Sequence, residues 1–96
     1  MLYMVEMIVQ IPHSLDPALV AQIKQDEKEY SQKLQREGKW RHIWRVVGEY
    51  ANVSIFDVES NAELHDIMTS LPLYPFMDVR VTALCRHPSS VHDDDR

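Results

Sequence analysis

Residues 40–63, WRHIWRVVGEYANVSIFDVESNAE, decide the architecture. Trp40 to Val47 reads as a strand, with Trp40, His42, Trp44 and Val46 at the period-2 spacing of one sheet face. Gly48 to Tyr50 supplies a turn. Ala51 to Val58 is a second strand, with Val53 and Ile55 pointing one way and Phe56 and Val58 the other. Ser60-Asn61-Ala62-Glu63 is a capping box: the Ser60 hydroxyl can accept from the Glu63 N–H while the Glu63 side chain reaches back. Two strands joined by a tight turn therefore run straight into a helix start.

Working outward from this stretch completes the order. Upstream, Tyr3, Val5, Met7, Val9 and Ile11 alternate as a strand that Pro12 ends. Asp16-Pro17 then opens a helix, Asp16 as N-cap and Pro17 in the first turn, where its missing N–H costs nothing. Leu19, Val20, Ile23, Tyr30 and Leu34 recur at helical spacing, and Gly38 suits a C-terminal stop. Downstream, Leu64, Ile67, Met68 and Leu71 form the apolar face of a short helix stopped by Pro72. A connection from Leu71 to Pro75 leads to Met77, Val79, Val81 and Ala83, a fourth strand. The order β-α-β-β-α-β predicts an α+β, ferredoxin-like fold: a four-stranded antiparallel sheet with two helices on one face. Strands two and three are apolar on both faces, which predicts that the sheet's other face is covered by another subunit. The chain is read as one domain, 1–96, with an extended polar tail over 85–96.

Charge and composition narrow the function. The formal net charge is −5, part of it in Asp93-Asp94-Asp95. Such a chain repels phosphate backbones, so no nucleic-acid partner is expected. The basic residues Arg36, Lys39, Arg41 and Arg45 alternate with acids and apolar residues, which suits a small anion better than a polyanion. One cysteine, Cys85, makes no internal disulfide and reads as a small, at least partly buried hydrophobe. The N-terminus lacks a signal-peptide pattern, and no run approaches the roughly 20 apolar residues of a membrane span. A soluble, cytoplasmic protein with no membrane partner is expected.

One residue breaks the helical pattern. At roughly 100° per residue, with Leu19 as zero, Ile23, Tyr30 and Leu34 fall within about 60° of the origin and Glu27 at about 80°. Glu27 thus lies in the apolar stripe, whereas Lys28 and Glu29 point well away. A carboxylate facing a core is costly unless paired or used, and desolvation raises its pKa toward the range useful for proton transfer. The alternative is a stripe-edge acid that reaches water or a nearby cation.

Other groups carry less. His13, His42, His65, His87 and His92 are scattered, none at the i, i+4 spacing of a helical metal pair, so no metal is expected. His42 reads as a structural histidine between two tryptophans. Trp40 and Trp44 read as packing residues able to wall a pocket. Tyr50 and Asn52 flank a hairpin, where Asn commonly serves the turn. With only Gly38 and Gly48, a glycine-rich phosphate loop cannot be built.

Several segments together resemble the muconolactone Δ-isomerase family. They are Asp26-Glu27-Lys28-Glu29, Leu34-Gln35-Arg36-Glu37-Gly38, Trp40-Arg41-His42 with Trp44-Arg45, Tyr50-Ala51-Asn52, Phe56-Asp57-Val58, Leu71-Pro72-Leu73, and Cys85-Arg86-His87-Pro88-Ser89-Ser90. The resemblance runs the full length. It implies a cofactor-free isomerase that converts muconolactone to 3-oxoadipate enol-lactone in catechol degradation by the β-ketoadipate route. It also implies a homodecamer whose active sites draw on two subunits. The family's proton acceptor maps onto Glu27, the residue that the helical count singles out. Tyr50 and Asn52 match positions suited to holding the lactone. Lys24, His42 and Arg45 are added as substrate-binding candidates because the substrate carries a carboxylate that wants a cation or donor. Glu49 and Val53 depart from the neutral or histidine residue and the aromatic expected there, which leaves the lactone's substituents open. Two alternatives remain beside this reading: an isomerase or dehalogenase of chlorinated or methylated muconolactones, and a non-catalytic oligomer that binds a small aromatic acid.

Overall fold

A computed structural model describes residues 1–95. Its elements are β1 (Leu2–Val9), α1 (Pro17–Arg36), β2 (Trp40–Arg45), β3 (Ala51–Asp57), α2 (Asn61–Ser70), a 3-10 turn (Tyr74–Phe76) and β4 (Met77–Leu84). The four strands form one antiparallel sheet in the order β2-β3-β1-β4. This is the ferredoxin-like arrangement expected from the order of elements.

The helix ends follow the local chemistry of the sequence. Asp16 accepts from the Ala18 N–H at 3.2 Å. At the other end of α1, Gly38 adopts φ +79°, and Gly38 N and Lys39 N donate to the carbonyls of Gln35 and Leu34 at 3.1 and 3.0 Å. This is a Schellman closure, and it needs a residue at ease in the left-handed region. At α2, Ser60 accepts from the Glu63 N–H at 3.1 Å, while the Glu63 carboxylate reaches back to the Glu59 N–H at 3.0 Å. That N–H bond, aided by Lys39, holds the Glu63 carboxyl below its ordinary pKa.

The core lies between the sheet and the helices. Val5, Met7 and Phe56 are fully buried, and Trp40 packs on Phe56 with ring centres 4.7 Å apart. Leu64, Ile67 and Met68 of α2 close the core over one half of the sheet. Burying each such side chain contributes roughly 1.5–3 kcal/mol. Along α1 only Leu34 is fully buried, near the helix's C-terminal end. Further upstream α1 stands off the sheet, and that gap holds the candidate site.

Two expectations are corrected. The alternation from Trp40 to Val46 is interrupted: Trp40 pairs with Phe56, but His42 pairs with Ile55, so Arg41 is an extra, bulged residue. A bulge puts two residues opposite one and switches the faces of the residues beyond it. Trp40, Ile43 and Arg45 therefore face the helices, while His42 and Trp44 face away, stacked on each other with ring centres 5.0 Å apart. Cys85, expected to be at least partly buried, is exposed: β4 ends at Leu84 and no element covers the residues beyond it. From Cys85 to Asp95 the chain forms neither helix nor strand. It folds back on the bulge, where the Arg41 guanidinium meets Asp94 at 2.7 Å, Asp95 at 3.0 Å and Asp57 at 3.7 Å.

Candidate active site

The gap beneath α1 is a cavity of about 380 Å³. Helical spacing supplies one wall: Lys24, Glu27, Lys28 and Ser31 lie at i, i+3, i+4 and i+7 and line it together. The sheet supplies the opposite wall through Met7, Ile43, Arg45 and Asn52, with Tyr50 from the β2–β3 hairpin. Leu73 and Met77 close one end.

Glu27 is partly buried in this wall, and its Oε1 accepts the Leu73 N–H at 2.9 Å. The donor comes from the tight connection after α2, held by Tyr74 N to Leu71 O and Phe76 N to Leu73 O, each 2.9 Å. Burial pushes the Glu27 pKa above its ordinary value, and the Leu73 N–H partly opposes that rise. Among the described residues Glu27 has no ion-pair partner, so it is not a stripe-edge acid neutralised by a lysine. One carboxylate oxygen is pinned by the backbone; Oε2 has no hydrogen-bond partner among the described residues. Such a group is a base of raised proton affinity in a fixed place.

Three cations line the carboxylate's cavity, Lys24, Lys28 and Arg45, and two of them flank Tyr50. The Lys24 ammonium and the Arg45 guanidinium each lie 5.3 Å from the centre of the Tyr50 ring, within range of its π face. Neither forms an ion pair with a carboxylate among the described residues. Positive charge left unmatched beside a pocket favours an anionic ligand. Deeper in, Asn52 takes a 2.7 Å bond from the Ser54 hydroxyl at its Oδ1 and donates from Nδ2 to Met7 Sδ at 3.6 Å. The Trp40 indole N–H, in the same wall, is buried without a partner among the described residues.

The structure thus gathers Glu27, Lys24, Arg45, Tyr50 and Asn52 around one cavity. His42 is not among them. The bulge at Arg41 turns it to the far face of the sheet, so it does not reach this subunit's cavity. Sequence reasoning missed Lys28, Ser31 and Leu73. Ser31 could have been found, since it lies one turn beyond Glu27. The Leu73 N–H could not, because a contact 46 residues away leaves no periodic trace. A second cavity of about 370 Å³, between α2 and β4, has no carboxylate in its lining.

Comparison with known proteins places this geometry. A family model described as muconolactone delta-isomerase matches residues 1–90. The muconolactone Delta-isomerase 2 of Acinetobacter lwoffii is 62% identical and that of Pseudomonas putida 56%, each over the whole of both chains. A Rhodococcus opacus muconolactone Delta-isomerase is 52% identical over 94% of this chain and 97% of its own. A crystal structure of muconolactone isomerase superimposes with a TM-score of 0.94 at 58% identity, covering both chains fully. Fold, cavity and full-length likeness agree, and the chain belongs to the muconolactone delta-isomerase family.

Proposed function

We propose that this protein isomerises muconolactone to 3-oxoadipate enol-lactone with Glu27 as its only base and no cofactor. The observation that carries the reading is the Glu27 carboxylate, half-sheltered in a cavity with one oxygen held by the Leu73 N–H. The reaction moves a ring double bond by one position. Glu27 takes the proton from the ring carbon that bears the acetate arm, and the electron pair shifts through the double bond toward the lactone carbonyl. The same carboxylic acid then returns the proton to the carbon beside that carbonyl. Atoms and charge balance, and the base is regenerated.

The other residues divide between charge and orientation. Lys24 and Arg45 pair with the acetate carboxylate, and Tyr50 holds the cations in place between them and the lactone. Asn52 donates to the carbonyl oxygen as it gains negative charge in the dienolate. The protein works as a homodecamer in the cytoplasm, within bacterial catechol breakdown. Support for assembly comes from the far sheet face, where Ile8 and Trp44 are 46% and 55% exposed. No helix among the described residues is long and apolar enough to cross a membrane.

An ultraviolet assay on muconolactone tests the reading, with wild type and Glu27→Ala compared. Turnover by wild type and none by the variant is expected. Equal turnover by both rules out Glu27 as the base, and inactivity of the wild type rules out the substrate.

A further inference from the structure

We infer that Ser54 is a positioning residue: its buried hydroxyl fixes which end of the Asn52 amide faces the cavity. The inference rests on the proposed isomerase reading for its kinetic consequence, and on geometry alone for the side-chain lock. Ser54 is the only polar residue fully buried among the described residues, at 0% exposure. It lies two positions beyond Asn52 on β3, so both side chains project from the same face of the strand. Their register partners on β1, Val5 and Met7, are themselves fully buried.

A serine here is not required by packing. An alanine or valine would satisfy an apolar core, and a buried hydroxyl without a partner is destabilising. The hydroxyl is satisfied by Asn52 Oδ1 at 2.7 Å. A hydroxyl has one hydrogen to give, and that bond uses it. The amide carbonyl is thereby turned away from the cavity. At the other end, Nδ2 spends one hydrogen on Met7 Sδ, a weak acceptor at 3.6 Å. No other protein acceptor takes the second among the described residues. Rotating the amide by 180° would set Oδ1 against the Met7 sulfur, lone pair against lone pair; Ser54 Oγ could then accept from Nδ2, but its own hydrogen would lose the acceptor it has here. Ser54 and Met7 therefore select the same orientation from two sides.

The chemical consequence is a matter of sign. With Nδ2 toward the cavity, Asn52 stabilises a lactone carbonyl oxygen that becomes an enolate; with Oδ1 there, it repels that oxygen. Only the transition state carries the full charge, so the lock acts on kcat more than on KM.

The test is a double-mutant cycle on the full-length protein with muconolactone, using Ser54→Ala, Asn52→Ala and the double variant. Side-chain amide order at Asn52 is measured alongside by 15N relaxation. Ser54→Ala is expected to lower kcat about tenfold with KM within a factor of about two, and to lower the Asn52 amide order parameter. That tenfold is a fraction of the 10²–10³ that loss of a whole oxyanion donor costs. In the Asn52→Ala background, Ser54→Ala is expected to have no further effect on kcat. Ser54→Cys, close in shape but a weaker donor, falls between serine and alanine. Equal losses from Ser54→Ala in both backgrounds would assign Ser54 to packing and overturn the inference, as would an unchanged Asn52 order parameter. A wild type inactive on the lactone fails the isomerase reading instead, and the relaxation measurement then still decides whether the lock exists.

Discussion

The Leu73 backbone N–H donates to Oε1 of Glu27 at 2.9 Å, tying the middle of α1 to the connection after α2. A backbone donor cannot rotate away or be titrated, so the carboxylate is aimed by the fold and not by another side chain. The N–H also favours the ionised form, which moderates the rise that burial causes. The result is a carboxylate of raised proton affinity, held in one orientation beside the cavity. Glu27→Gln keeps an acceptor for Leu73 but cannot take a proton. Its kcat is expected to fall by about 10³-fold with unchanged circular dichroism, within the range general bases contribute.

The pH dependence has opposite signs in activity and stability. Only ionised Glu27 acts as base, so kcat/KM falls as pH drops through its raised pKa, and the acid limb lies above the ordinary value of 4.5. In the unfolded chain Glu27 titrates at that ordinary value, whereas the folded protein holds the proton to higher pH. Its stability contribution is therefore complete below about 4.5 and lost as pH rises through the folded value. Thermal melts should show Glu27→Gln more stable than wild type at neutral pH, with the gap closing in acid. A gap that widens in acid would contradict the burial.

Substrate charge is expected to register at Lys24 and Arg45. Replacing either with alanine should raise KM about tenfold with kcat changed far less, since a hydrogen bond to a charged group contributes about 1.5–3 kcal/mol. Steady-state kinetics at low and moderate salt checks this, and the penalty should shrink as salt screens the wild type.

Gly38 offers a control remote from the chemistry. At φ +79° nothing lies within 4 Å of where a Cβ would sit, so only backbone strain opposes a side chain. Gly38→Ala should cost about 1 kcal/mol in urea unfolding at matched protein concentration. Unaltered kinetics in the folded variant is expected.

Assembly is expected to depend on the far face of the sheet. Trp44→Glu places a charge where an apolar partner surface is proposed, and sedimentation should report a smaller particle than wild type. An unchanged mass would remove that face from the interface.

Much of this is legible in residue order. The Asp16-Pro17 start, the Gly38 stop and the Ser60–Glu63 box appear where local chemistry requires them, because caps depend on neighbours only a few residues apart. Glu27 is legible for the same reason, as a departure from a helical period. Relationships across the fold escape such a reading. Nothing near His42 announces that one extra residue at Arg41 turns it from the cavity, since a bulge is set by what the partner strand can pair. The Leu73 donor exists only once α1 has packed against the connection after α2; the Ser54–Asn52 bond is local, two residues along one strand, but period-2 spacing does not tell that the pair is buried and bonded. Cys85 escapes because its apolar character suggests burial where the last strand has already ended.

The irregularity in β2 leaves one side chain owed to neither face of the sheet. Removing Arg41 would let Trp40, His42, Ile43, Trp44 and Arg45 keep their present sides in an unbroken ladder. Its guanidinium is thus at liberty, and it grips the acidic terminus at Asp94 and Asp95. A strand with a supernumerary member gains an anchor for the acidic tail, and shortening it by one would release Asp94 and Asp95 while sparing the pocket.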